Sequence, residues 1–316
     1  MIWGNLLHVS MNMWEDWQPP NHPHPGRLFD PNLRCDDALF AGLTQAMAGA
    51  GMNLVVLDLG DAVRYDSHPE IAVNGAWTTD RLRAELTRLR ALGLEPIPKL
   101  NFGAAHDTWL GEYGRMVSTQ KYYEVCADLI AEVSALFDTP RLFHLGMDEE
   151  NLDVQRDYEY VVIRQHDLWW RDLYFLIEQV EKSGARPWIW SDFAWWHPEQ
   201  FYAKMPKSVV QSNWYYANDF EILEGGEERP RKLGWKHGHV AYLDLNDHGY
   251  DQIPTGSNWS TSENFARTVT FCRRHVAPER LLGFLQTPWA STLPEHRDHH
   301  LAAIEQVKRA KETFEP

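Results

Sequence analysis

The chain alternates short apolar runs with longer amphipathic segments from end to end, and that rhythm admits few folds. Apolar stretches read as strands at 6–11, 53–59, 95–100, 142–147, 187–191, 209–214, 239–245 and 283–287. Between them, residues 36–50, 79–92, 121–137, 168–183, 262–274 and 294–313 carry apolar side chains at helical spacing. Residues 198–204 and 222–235 complete the helical set with weaker patterns. Thr79-Asp80 marks one helix start, and Ser260-Thr261-Ser262-Glu263 reads as a capping box for another. Gly51, Gly93 and Gly184 stand where helices end before the next strand. About eight βα units in a chain of 316 residues is the count of a (β/α)8 TIM barrel. A doubly wound open sheet is the alternative, weakened because no Gly-rich phosphate loop follows the first strand. No linker, low-complexity run or second domain interrupts the pattern, so residues 1–316 read as a single barrel domain.

Hydrophobic residues make up 44% and charged residues 24%, the balance of a soluble globular chain with a sizeable core. A formal charge of −15 with no basic stripe argues against nucleic-acid or anionic-membrane partners. The N-terminus has no basic segment leading an apolar one, and no run is long enough to span a bilayer. A cytoplasmic location is the simplest expectation, and self-association is left open. Three widely spaced cysteines, Cys35, Cys126 and Cys272, argue against a disulfide framework or zinc knuckle. Cys126 and Cys272 fall in helical patterns and read as small buried hydrophobes. Fifteen Trp are far above ordinary usage. Trp fills core volume, but its flat face also suits the C–H face of a sugar ring.

In a barrel, the C-terminal ends of the strands converge on one cavity. Those ends carry Asn12 and Trp14, Asp58 and Asp61, Asn101 and His106, and the run Asp148-Glu149-Glu150. Trp190 and Asp192, then Asn213, Trp214 and Tyr215, then Tyr242 and Asp244, then Gln286 and Trp289 complete the ring. Three adjacent carboxylates after a buried strand raise one another's proton affinity, which suits acid–base chemistry near neutral pH. Carboxylates ringed by Trp and Tyr point to a carbohydrate-processing pocket.

Here the chain resembles the glycoside hydrolase family 20 β-N-acetylhexosaminidases. His144-Leu145-Gly146-Met147-Asp148-Glu149 is similar to the family's His-x-Gly-Gly-Asp-Glu signature on strand four. Tyr65-Asp66-Ser67-His68-Pro69-Glu70, Trp77-Thr78-Thr79-Asp80 and Leu94-Glu95-Pro96-Ile97-Pro98 resemble its strand-two to strand-three passage. Tyr242-Leu243-Asp244 resembles its strand-seven motif and Trp289 its strand-eight Trp. The resemblance implies an exo-acting glycosidase with a substrate-assisted, retaining mechanism and a small carbohydrate substrate. Glu149 would be the acid and then the base, and Asp148 would orient the 2-acetamido group that attacks the anomeric carbon. Tyr242 would hydrogen-bond that group, and Trp190, Trp214 and Trp289 would wall its pocket. Asp244 would bind a sugar hydroxyl, and His106 with Asp61 would form a pair steadying the site. A mildly acidic to neutral pH optimum is expected, with no metal or organic cofactor.

The chain also departs from the family. Strand one lacks the Arg that clamps sugar hydroxyls, strand three has Pro98-Lys99 for Pro-Glu, and Ser291 stands where a Glu usually follows the strand-eight Trp. A related glycosidase for a sugar without the acetamide, or a carbohydrate-binding barrel without catalysis, is the alternative. Glu150 reads as structural, pairing with an Arg or a helix N-terminus. Asp192 reads as a substrate contact, a second catalytic carboxylate, or a cap. His144 reads as buried or site-tuning, Trp169 and Trp170 as packing, and Trp195 or Trp196 as a sugar-subsite wall. His299-His300 reads as surface. His22-Pro23-His24 resembles a metal pair, but no further ligand cluster accompanies it.

Overall fold

A computed structural model describes residues 1–22, 25–220, 229–230 and 232–314. His24 of the His-Pro-His pair, and most of the helical pattern expected over 222–235, lie outside the described residues. Eight parallel strands form the barrel: β1 (Ile2–His8), β2 (Leu54–Asp58), β3 (Glu95–Lys99), β4 (Leu142–His144), β5 (Arg186–Trp190), β6 (Val210–Ser212), β7 (Thr255–Gly256) and β8 (Gly283–Gln286). They pair in the order β6-β5-β4-β3-β2-β1-β8-β7. Backbone bonds from Ile253 to Gln211 (3.0 Å) and from Thr255 to Asn213 (2.9 Å) close the ring between β6 and β7. The fold is a (β/α)8 barrel.

Period-two alternation sorts the strand residues into two cores. Leu6, Val56, Ile97, Leu142, Trp188, Val210, Ile253 and Leu285 fill the interior. Leu7, Val55, Leu57 and Phe143 face outward onto the helices. These are α1 (Asp37–Gly49), α2 (Thr79–Ala91), α3 (Gln120–Leu136), α4 (Asp167–Lys182), α5 (Pro198–Lys204), α6 (Ala241–Asp247), α7 (Asn264–His275) and α8 (Arg297–Phe314). Trp169 and Trp170 are buried on α4, where Trp169 stacks on Phe193 at 3.8 Å. Gly51, Gly93 and Gly184 follow α1, α2 and α4 with φ near +74°, +78° and +82°, the left-handed stop that glycine permits. Among the described residues, no helix is long and apolar enough to cross a membrane.

Three expectations need correction. Residues 239–245 are not a strand: Trp235–Val240 is a 3-10 turn and Ala241–Asp247 is α6. Ala241, Tyr242 and Leu245 are buried together at helical spacing. The true seventh strand escaped because it is two residues long, Thr255 and Gly256, flanked by the buried polar Gln252 and Ser257. The capping box also fails. Glu263 caps α7 without a side-chain bond, while Ser260 and Thr261 bond Tyr216 and Asn218 instead. His300 is fully buried, because the start of α8 packs on the segment after β8 and its Nε2 meets the Ser291 carbonyl at 3.0 Å.

Candidate active site

The segment after β4 is bent by three residues with positive φ: Gly146 (+71°), Met147 (+75°) and Glu149 (+56°). Gly146 has no alternative, since a Cβ there would lie 1.9 Å from Asn101 Oδ1. Met147 and Glu149 hold the same conformation at about 1–2 kcal/mol each. Strain of that size persists where the surroundings fix it. Asn101, just beyond β3, does so. Its Oδ1 accepts from the Met147 and Gly103 amides (3.2 and 3.0 Å), and its Nδ2 donates to Asp148 Oδ1 at 2.8 Å.

His106 joins the two acids. Its Nε2 lies 3.2 Å from Asp148 Oδ2 and 3.2 Å from Glu149 Oε2. Burial alone would lower the imidazole's proton affinity, but the two carboxylates reverse this and push it up to about 10. Asp148 is held below the usual carboxylate range: burial opposes its charge, but His106, Lys99 and Asn101 favour it more. The His106, Asp148 and Glu149 donor atoms all lie within 4.8 Å of one another. The imidazole, with its proton affinity raised, is the member of that cluster able to carry positive charge. Glu149 keeps 24% of its side chain exposed, against 8% for Asp148. Of the pair, Glu149 is the one more open to solvent.

The neighbouring carboxylates have separate partners. Glu150 is buried against Arg164 at 2.6 Å and also accepts from the Ala104 amide. Asp58 pairs with the buried Lys99 at 2.6 Å inside the barrel. Asp192 accepts from the Glu149 amide at 2.9 Å, and its Oδ1 is buried without a partner. Asp61 does not pair with His106. It accepts from Ser10 (2.6 Å) and Asn12 (2.7 Å), while His106 Nδ1 has no partner.

Trp190, Trp214 and Trp289 belong to one aromatic group in the inner core. Trp190 lies 5.9 Å from Trp289, whose Nε1 donates to the Tyr216 hydroxyl at 2.9 Å. Tyr216 stacks on Trp214 at 5.1 Å. Trp195 packs on Trp214 at 4.5 Å and is buried, whereas Trp196 meets the exposed Trp235. His144 is wedged against Trp188 and Trp190, at 4.7 and 4.3 Å. Burial first, then Lys99, keeps it neutral, and its Nδ1 accepts from the Gly146 amide at 3.0 Å.

Tyr242 and Asp244 are not in this group, because α6 carries them in the helical layer. The Tyr242 hydroxyl bonds the Thr255 carbonyl at 3.3 Å, and Asp244 pairs with Arg229. Among the described residues Glu149 acts on two phenols, Tyr158 in the segment after β4 and, bonded to Trp289, Tyr216. Burial raises the proton affinity of Tyr216 foremost, and Glu149 and Asp148 add to it. Alternation could have found it, since Ser212, Trp214 and Tyr216 share one face. Arg34 was also missed, because it lies beyond β1 rather than on it. Its guanidinium is half-buried and makes one hydrogen bond, to Asn12 Oδ1 at 2.6 Å, near Asp61 and His8.

No protein-family model and no curated protein matches the sequence. Solved structures do match in shape. A β-N-acetylhexosaminidase from Bacteroides fragilis superposes at TM-score 0.63 and 13% identity, covering 96% of this chain and 65% of that one. The fold is that of the family 20 hexosaminidase barrel. A chitobiase from Flavobacterium johnsoniae gives 0.60 and 17%, covering 98% of this chain and 50% of its own. The family 20 β-N-acetylhexosaminidase of Streptomyces coelicolor gives 0.62 and 14%, covering 95% and 63%. The chain therefore spans between half and two thirds of the length of these neighbours. It shares their barrel fold at low sequence identity.

Proposed function

We propose that the chain is an exo-acting glycosidase of the β-N-acetylhexosaminidase type, working with retention through the substrate's own acetamide. The observation that carries this reading is the Asp148–His106–Glu149 bridge at the mouth of β4, beside the Trp190–Trp289 wall. Glu149, the more exposed acid, protonates the glycosidic oxygen and then activates water. Asp148, kept ionised by His106, accepts the acetamide N–H. It thereby aims the carbonyl oxygen at the anomeric carbon and balances the charge that develops on the ring so formed. Tyr216, in place of Tyr242, donates to the acetamide oxygen. Arg34 takes the place of the absent strand-one Arg, and its unused N–H donors serve the sugar hydroxyls.

The test is a panel of chromogenic β-glycosides with and without the 2-acetamido group, run on wild type and Asp148→Asn. Only acetamido substrates are expected to turn over, and D148N is expected to lower kcat by about a hundredfold. Equal turnover of plain glucosides, with D148N nearly silent, would move the assignment to a glycosidase that does not use the acetamide. Arg34→Ala is expected to raise KM about tenfold with a smaller change in kcat, because a hydroxyl clamp acts on ground and transition states alike. Steady-state kinetics on the best glycoside of the panel checks it.

A further inference from the structure

Of the carboxylates at this end of the barrel, four have a positive partner: Asp58 has Lys99, Glu150 has Arg164, and Asp148 and Glu149 share His106. Asp192 has none. It is 4% exposed, and no cation among the described residues lies within ion-pair distance. Its Oδ2 accepts from the Glu149 amide at 2.9 Å, and among the described residues its buried Oδ1 has no partner. The groups that act on it are the Asp148 and Glu149 carboxyls from the end of β4, and Asp148 in turn is acted on by His106 and Lys99. A third charge in that space would face like charges at low dielectric.

We propose that Asp192 is a positioning residue for Glu149, holding the acid's backbone in place as a neutral carboxylic acid, and that its ionisation sets the alkaline limit of the site. The proposal rests on the glycosidase reading for its kinetic half only. The grip matters because Glu149 stands at φ +56°, a conformation that needs an external partner to persist. The direction of titration agrees: burial first, then Asp148, pushes the Asp192 carboxyl up to about 8. Below that pH Asp192 is uncharged and leaves the Asp148–His106–Glu149 balance intact. Above it, repulsion from Asp148 can be relieved only by moving the bent segment that carries the acid.

Asparagine copies the neutral acid, with an oxygen to accept from the Glu149 amide and an N–H in place of the O–H. Asp192→Asn is therefore expected to keep kcat/KM at pH 6 within about fivefold of wild type, while its alkaline limb moves up by about one pH unit or more. Asp192→Ala removes the grip and is expected to lose about a hundredfold, mostly in kcat. A second readout needs no activity. A raised carboxyl binds more protons in the folded than in the unfolded chain between its two pKa values, so it costs stability as pH rises from 3.8 towards 8. D192N removes that cost. Its advantage over wild type in denaturant midpoint is expected to grow from pH 4 to pH 8. A gap that stays flat with pH, or an alkaline limb unmoved in D192N, overturns the proposal. If the wild type cleaves no glycoside in the panel, the glycosidase reading falls and the stability gap still decides the state of Asp192.

Discussion

Glu149→Gln is expected to reduce turnover by about a thousandfold or more while leaving the barrel folded. The amide cannot deliver a proton to the glycosidic oxygen or take one from water, so both halves of the reaction lose their catalyst. The fold tolerates the change because the Glu149 side chain is partly exposed and makes one side-chain contact, to His106. A Gln oxygen can still accept from that imidazole. The Asp192 grip acts on the backbone amide and is unaffected. Leaving-group dependence sharpens the test. A substrate with a very acidic phenol needs little protonation, so the loss on its first step is expected to shrink. Rates on a series of aryl glycosides, with thermal unfolding as control, check both points. Near-wild-type turnover on an alkyl leaving group would sink the assignment of Glu149.

The barrel was legible in the sequence because most of its elements obey one period each. Helices α1 to α4 and α8 fall within a few residues of their apolar spacing, β2 to β4 within their apolar runs, and β5 one residue ahead of its run. The seventh unit was not legible. A strand as short as Thr255–Gly256 carries no period, and the apolar residues before it, Tyr242 to Leu245, satisfy a helix as well as a strand. That error displaced Tyr242 and Asp244 from the site. The acid pair was legible because Asp148 and Glu149 follow a buried strand directly. What holds the pair was not, since Asn101 and His106 come from the loop after β3 and Asp192 from the loop after β5. Only the closed ring shows that His106 faces the acids rather than Asp61. His300 misled for a related reason: a His among charged residues is buried when backbone carbonyls of another loop reach it.

Arg164→Leu is expected to cost about 3–5 kcal/mol of stability, the largest loss from any single side chain near the site. Arg164 is 1% exposed on its side chain and faces two buried carboxylates, Glu150 at 2.6 Å and Asp172 at 3.2 Å. Its Nη2, which also bonds Glu150, donates to the Phe102 carbonyl at 2.9 Å. One guanidinium therefore ties the loop after β3, the loop after β4 and helix α4 together. Leucine fills part of the volume but leaves Glu150 without its counter-charge and Asp172 with the exposed Arg171 at 3.7 Å, so the acids must be protonated or drag water inward. The loss is of balance rather than of net attraction, because three charges were desolvated to build the cluster. Neutralising the acids as well, in R164L/E150Q/D172N, is expected to return much of the stability. Urea denaturation of both variants checks this. If the single and triple variants are equally unstable, packing rather than charge is what Arg164 contributes. Activity carries a second signal, since Glu150 also accepts from the Ala104 amide in the loop that presents His106. The folded fraction of R164L is therefore expected to lose kcat as well, because the His106 and Glu149 loops are no longer held to one another.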